Sequence, residues 1–167
     1  MKSGIGIIVR NGIMAALYVV LTLISYPISY GLYQLRISEA LVLLCFVRKD
    51  YTIGVTLGCL IANAFSPELG PIDMLIGTSA TLISCLLVCF CKHLLIASFI
   101  PIVANALLVG FELSYILEVA PFWVAAGFVA LGELGAMVIG YLIFMLTKKR
   151  KQFFKFINAN QNEEFKW

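Results

Sequence analysis

Six carboxylates of this chain stand where a carboxylate is costly. Glu39, Glu68, Asp73, Glu112, Glu118 and Glu133 lie in or beside long apolar stretches, and they are six of the nine acidic residues. An ionised carboxylate at the centre of a bilayer costs about 3 kcal/mol or more, so it persists where it has a partner or a task. Carboxylates accept hydrogen bonds, neutralise cations and take paired N–H groups bidentately. Asn63 and Asn105 add both donors and acceptors. Brought together, these groups suit a flat heterocycle rich in donors and able to carry positive charge.

Each acid also has a plainer role. Glu68 and Glu118 fall in turns, where water reaches them. Glu39 follows Arg36 by three residues, the spacing of a helix-start ion pair. Asp73 opens an apolar run, where a helix dipole favours negative charge. Glu133 sits deep in a span, in Ala130-Leu131-Gly132-Glu133-Leu134-Gly135, with no such explanation. It is the strongest functional candidate. Tyr30 and Tyr33 stand beside Gln34 and Arg36 in the first break, where flat rings could cover and stack on a ligand. Phe122 and Trp123 suit equally a site or an interfacial belt.

The elements that must position these groups are membrane helices. The chain has 167 residues, 62% of them hydrophobic and 13% charged, against roughly 25% charged in soluble domains. Apolar blocks alternate with short polar breaks, the pattern of several spans. They run from about Ile7 to Ser29, Ile37 to Val47, Tyr51 to Phe65, Pro71 to Cys91, Leu94 to Leu117, and Pro121 to Leu146. The first is expected to be a retained span, because no small-residue cleavage pattern follows it. The second and third are short for a straight crossing, so they are tilted or partly buried in protein. Pro71 and Pro121 suit the first turn of a helix, and Pro101 should kink the fifth span. Residues 1–147 thus form one membrane domain, and residues 148–167 a basic cytoplasmic tail at the anionic leaflet.

Six crossings put both termini on one side. That side carries Lys2, Arg10, Arg48, Lys49, Lys92, the run Lys148 to Lys151, Lys155 and Lys166, eleven of the twelve basic residues. It is therefore cytoplasmic. Arg36 is the exception, and all six acids share its side. Asn105 and Glu112 are seven apart on the fifth span and face one way. Polar groups from four helices and the first loop then point into the outer half of one bundle, as ligand sites in bundles do.

The five cysteines all lie in apolar stretches. They read as small apolar filler, although Cys85 and Cys89 share a helix face on which a metal is conceivable. His93 is the only histidine and cannot make a zinc site alone. No Gly-rich phosphate loop, paired histidines or nucleophile elbow occurs. No catalysis and no cofactor are expected, and no nucleic-acid partner. Small residues line three spans: Gly12 and Ala16; Gly54, Gly58 and Ala62; Gly132, Ala136 and Gly140. Such stripes serve close packing within the bundle or docking of another membrane protein.

Several segments together resemble the QueT family. They are Arg36-Ile37-Ser38-Glu39-Ala40, Gly58 to Asn63, Asp73 to Gly77 with Ala80-Thr81, Pro101 to Ala106 with Gly110, and Gly132-Glu133. The resemblance covers nearly all of residues 10 to 147 in order. It implies an all-α, six-helix bundle of S-component type with both termini cytoplasmic. Such a chain is the substrate-binding subunit of an energy-coupling-factor importer in a prokaryotic plasma membrane. The implied ligand is a queuosine precursor: an aminomethyl-deazaguanine base, its nitrile precursor, or queuine. The implied partners are a transmembrane coupling protein and two cytoplasmic ATPases. Gly12 and Ala16 would form the docking face, with Val20 where a further alanine is typical. Glu133 and Glu112 would take the guanine-like edge and the amine, in an order left open. Asn63 and Asn105 would take the remaining edges, with Arg36 and Glu39 holding the first loop closed. The rival classes are a stand-alone ion-coupled transporter and an intramembrane enzyme using Glu133 and Asp73 as acid and base.

Overall fold

The computed structural model describes residues 2–30, 34–66 and 70–162. Tyr33 and Glu68, both singled out above, lie outside the described residues. Every described element is helical. Helix α1 (Lys2–Ile24) leads into a single turn, α2 (Tyr26–Ser29). A 3-10 segment (Ile37–Leu43) continues as α3 (Leu44–Val47). Then come α4 (Tyr51–Asn63), α5 (Gly70–Val88), α6 (Leu94–Phe111), a π turn (Glu112–Ile116), α7 (Phe122–Thr147) and the short α8 (Lys151–Phe156).

Four stretches are long and apolar enough to cross a membrane: Gly4–Ile24, Pro71–Val88, Leu94–Ile116 and Phe122–Thr147. Ile37–Val47 and Tyr51–Asn63 are shorter apolar helices. All six expected segments are thus helical, four of them at span length. Side chains such as Ile13, Ile53, Leu75, Val103 and Leu131 face outward. So large an apolar exterior belongs in lipid.

The short second segment goes inside the protein. Val42, Leu43, Cys45, Phe46 and Val47 are fully buried. Helices α1, α4, α5, α6 and α7 pack in that order, and the 3-10 segment touches all five. A 3-10 helix rises roughly 2.0 Å per residue against 1.5 Å for an α-helix. Ile37–Val47 therefore reaches farther than its length suggests, roughly 20 Å. The small residues decide how closely its neighbours approach. A Cβ on Gly58 would lie 2.6 Å from Tyr18 Cβ, and one on Gly54 2.7 Å from the Asn11 carbonyl oxygen. The stripe on α4 therefore packs internally against α1. A Cβ on Gly140 would meet Leu43 at 3.0 Å and Ala40 at 3.2 Å, so the stripe on α7 faces the 3-10 segment. Gly12 has open space at its Cβ.

Two apolar clusters fill the interior. The larger includes Phe46, Leu94, Ala97, Met137 and Phe144; the smaller holds Ala80, Val109, Leu113, Ala125 and Val129. Asn105 lies between Ala97 and Val109 on α6, and Glu133 lies between Val129 and Met137 on α7. A polar layer thus separates the clusters.

The tail folds back on the bundle through residue 162. Phe154 and Ile157 join the larger cluster. The Tyr51 hydroxyl donates to the Ile157 carbonyl at 2.6 Å, and Arg48 Nη1 to the Asn158 carbonyl at 2.7 Å. The Asn160 and Gln161 N–H groups donate to the Val47 carbonyl at 3.1 and 3.0 Å. The Gln161 and Asn162 amides donate to the carbonyls of Cys45, Phe46 and Cys91. These bonds satisfy carbonyls left open where α3 ends and at the turn after α5. They also draw the basic breaks at Arg48–Lys49 and Lys92 and the basic run after α7 to one end of the molecule.

Candidate functional site

Arg36 organises one side of the polar layer. It is 4% exposed and precedes the 3-10 segment. Its Nη1 donates to Asn63 Oδ1 at 2.6 Å, its Nη2 meets Asp73 Oδ1 at 3.5 Å, and its Nε donates to the Ser29 carbonyl at 3.2 Å. Burial alone would lower the Arg36 pKa; the Asp73 carboxylate and other neighbours more than offset this and hold it above its usual value. The guanidinium keeps its charge. Asn63, the last residue of α4, is fixed from both ends. Its Oδ1 takes Arg36, and its Nδ2 donates to the Asp73 carbonyl at 3.0 Å. This approach needs Gly77 on α5, where a Cβ would fall 2.7 Å from Asn63 Nδ2.

Tyr30 completes that side. The Arg36 guanidinium lies 5.4 Å from its ring centroid, and its hydroxyl donates to the Ala62 carbonyl at 2.6 Å. Burial pushes the phenol above its usual range, so it stays a neutral donor.

Glu39 spans the middle. Its Oε1 accepts from the Tyr18 hydroxyl on α1 and from Thr81 Oγ1 on α5, the latter at 2.9 Å. Nearby, Thr22 and Ser38 share a hydrogen bond at 2.7 Å, and Cys59 Sγ meets Thr81 Oγ1 at 3.2 Å. The i, i+3 spacing suggests an Arg36–Glu39 pair. The structure pairs Arg36 with Asp73 instead, and no Arg36–Glu39 bridge occurs among the described residues. Extended backbone at Arg36 carries the guanidinium toward α4 and α5, while the 3-10 turn aims Glu39 at α1.

The other side is open in hydrogen-bonding terms. Glu133 and Asn105 are 2% and 6% exposed. They face each other closely enough to interact, yet Asn105 Nδ2 and Glu133 Oε1 make no hydrogen bond of ordinary geometry. Among the described residues Glu39 Oε2 has no partner either. Gln34, Arg36, Glu39, Asn105 and Glu133 line one small cavity, with Val109 and Val129 as its apolar wall. It encloses about 10 Å³, where small-molecule pockets run to about 300–1,000 Å³. Gln34 at its rim has a left-handed φ of 46°. Glu112 is 1% exposed, both its oxygens lack a partner among the described residues, and its charged neighbours there are Asp73 and Arg36.

The structure therefore gathers Arg36, Glu39, Asn63, Asp73, Asn105, Glu112, Glu133 and Tyr30 in one buried layer. Glu118 is exposed, and Trp123 is 81% exposed in an edge-to-face contact with Phe122. Gly12 and Ala16 lie on an exposed face of α1, away from this layer. Among the described residues no group of three or more His, Cys, Asp or Glu side chains could hold a metal. Tyr18, Thr22, Ser38 and Thr81 were missed from sequence. The available signal was a hydroxyl in the middle of an apolar run, with Tyr18 and Thr22 four apart on one helix face.

A family model described as QueT transporter matches residues 8–149. A protein of Lactococcus lactis subsp. cremoris (strain MG1363), named queuosine precursor transporter QueT, is 34% identical over 161 residues, covering 86% of this chain and 92% of its own. No solved structure matches significantly.

Proposed function

We propose that this chain, which belongs to the QueT transporter family, is the membrane subunit that binds a queuosine precursor of deazaguanine type for import. With four helices of membrane length it is a multi-pass protein of the cell membrane. One observation carries the ligand assignment: among the described residues, Glu39 Oε2, Asn105 Nδ2 and Glu133 Oε1 are buried without a hydrogen bond of ordinary geometry around one cavity. Buried polar groups are nearly always hydrogen-bonded, so three open atoms on three elements describe the complement of a ligand. A guanine-like edge offers two parallel N–H groups to a carboxylate and a carbonyl to an amide donor. Glu133 suits the first and Asn105 Nδ2 the second. Arg36, Asn63, Asp73 and Tyr30 hold the near wall in place, and the cavity enlarges to admit the bicyclic base.

The chain acts as the S component of an energy-coupling-factor importer, with both termini and the basic end cytoplasmic. Two separate ATPases hydrolyse ATP, and a transmembrane coupling protein docks on the exposed face of α1 that carries Gly12 and Ala16. Open space at Gly12 supports this, since the glycines of α4 are already used against α1.

Calorimetry of the purified chain against the aminomethyl-, cyano- and queuine-type deazaguanines tests the proposal. At least one binds the parent, and Glu133→Gln weakens it about tenfold or more, as expected for a lost charge-assisted hydrogen bond. A parent that binds none of the three overturns the function. So does pH-driven uptake of a base into liposomes that contain this chain alone.

A further inference from the structure

The outward side of α6 is not smooth. Two apolar grooves run along it, one against α5 and one against α7. The first extends from Ile96 to Leu108 on α6, past Ile83 and Leu87 on α5, and encloses about 490 Å³. At 1.5 Å per residue that stretch of α6 is about 18 Å long, close to the roughly 15 Å of hydrocarbon in one bilayer leaflet. The second extends from Leu95 to Ile102 on α6 and encloses about 150 Å³. Phe99 lines both and stands exposed between them as a ridge.

Both grooves begin at the same end of the molecule. Leu95 and Ile96, their first residues on α6, come directly after the α5–α6 turn that carries the exposed Lys92. Lys49, also exposed, reaches this turn, with its Nζ 5.1 Å from the Phe90 ring centroid. Among the described residues neither lysine forms a salt bridge. Helix α6 starts at Leu94 with no side-chain cap and no acid in its first turn. Two ammonium groups thus stand with the positive end of the α6 dipole, where an anion is favoured.

The walls indicate what fills such a pair of grooves. A transmembrane helix docks through small residues that let backbones approach. Between α5 and α6 only Ala104 is small, and no lining residue there is polar. In the second groove the Ser98 hydroxyl is already spent on the Leu94 carbonyl at 3.0 Å. Two flexible hydrocarbon chains joined at one anionic head match two troughs, one ridge and one positive end.

We propose that this face is a specific site for one anionic diacyl phospholipid. One acyl chain lies in each groove, Phe99 parts the two, and the phosphate meets Lys92 and Lys49 at the start of α6. Each lysine close to an anionic headgroup strengthens its binding by about fivefold. The site is separate from the polar layer and does not depend on which base the chain binds. It braces α6 and α7 from outside, the two helices that carry Asn105 and Glu133.

Native mass spectrometry of the full chain, released from mixed micelles holding phosphatidylglycerol and phosphatidylcholine of equal chain length, tests this. The parent should keep one phosphatidylglycerol, about fivefold or more over phosphatidylcholine. Lys49→Gln with Lys92→Gln should erase the preference and leave some lipid bound. Ala104→Leu, which fills the larger groove, should weaken both lipids. Lys149→Gln with Lys151→Gln, on the basic run after α7, should change neither. A parent that carries several lipids at random, or both kinds equally, overturns the site, and that result needs no variant to fold. A preference that survives loss of Lys49 and Lys92, or that vanishes with Lys149 and Lys151, overturns it too. So does a lipid-free dimer of the chain that Ala104→Leu dissociates, because the grooves would then hold a second copy.

Discussion

The polar layer has two walls, and their hydrogen bonding differs. The wall on α4 and α5 is complete. Arg36 is held by Ser29, Asn63 and Asp73, and Asn63 is held at both ends of its amide. The wall on α6, the π turn and α7 is incomplete, with atoms on Asn105, Glu112 and Glu133 that make no hydrogen bond of ordinary geometry among the described residues. Both walls are equally buried, so burial does not separate them. Satisfaction does. A finished network rigidifies a bundle, whereas an unfinished one keeps desolvated groups ready for a partner that is not part of the chain. Glu39 joins the two, with one oxygen satisfied and the other open.

Three substitutions test this contrast. The largest effect is expected at Arg36→Met. It removes the cation from Asp73 and a donor from Asn63, and breaking a buried pair from one side costs about 3–5 kcal/mol. Thermal unfolding in detergent should show that loss, and an unchanged midpoint would make the near wall dispensable. Next comes Glu133→Met on the open wall. Here stability should hold or rise, by up to about 1–3 kcal/mol, because an unsatisfied buried group is replaced by an apolar one of similar length. Base binding should disappear at the same time. A fall in stability as large as that of Arg36→Met would mean that the far wall is structural too. The smallest effect belongs to Tyr30→Phe, which deletes one hydrogen bond to the Ala62 carbonyl. It should cost about 0.5–1.5 kcal/mol of stability and change affinity little. A binding loss as large as that of Glu133→Gln would move Tyr30 from the scaffold to the ligand.

Much of this was legible in the chain. Glu133 and Asn105 announce themselves as polar residues deep in apolar runs, and their burial follows from that. The six helical segments follow from block length, Pro71 falls in the first turn of α5, and α6 runs through Pro101. The pairing of Arg36 was not legible. Its candidate partner by spacing was Glu39, but Asp73 lies 37 residues on, and no local rule reaches that far. Tyr18 and Thr81 were hidden for the same reason, as was the use of the tail. The basic run after Thr147 reads as a surface strand of charge. Yet Phe154 and Ile157 enter the core, and Gln161 and Asn162 satisfy carbonyls more than 70 residues away in sequence, down to Cys91.

The sequence alone determined a helical membrane protein that carries acids in apolar segments, because hydrocarbon-length runs and the cost of a charge in lipid are local properties. Tertiary structure alone decided which acid meets a cation and which is left open. That choice depends on how helices distant in sequence rotate and approach, as Gly54, Gly58 and Gly77 permit. A hydrogen bond forms or fails within a few tenths of an ångström, and composition does not resolve distances that fine.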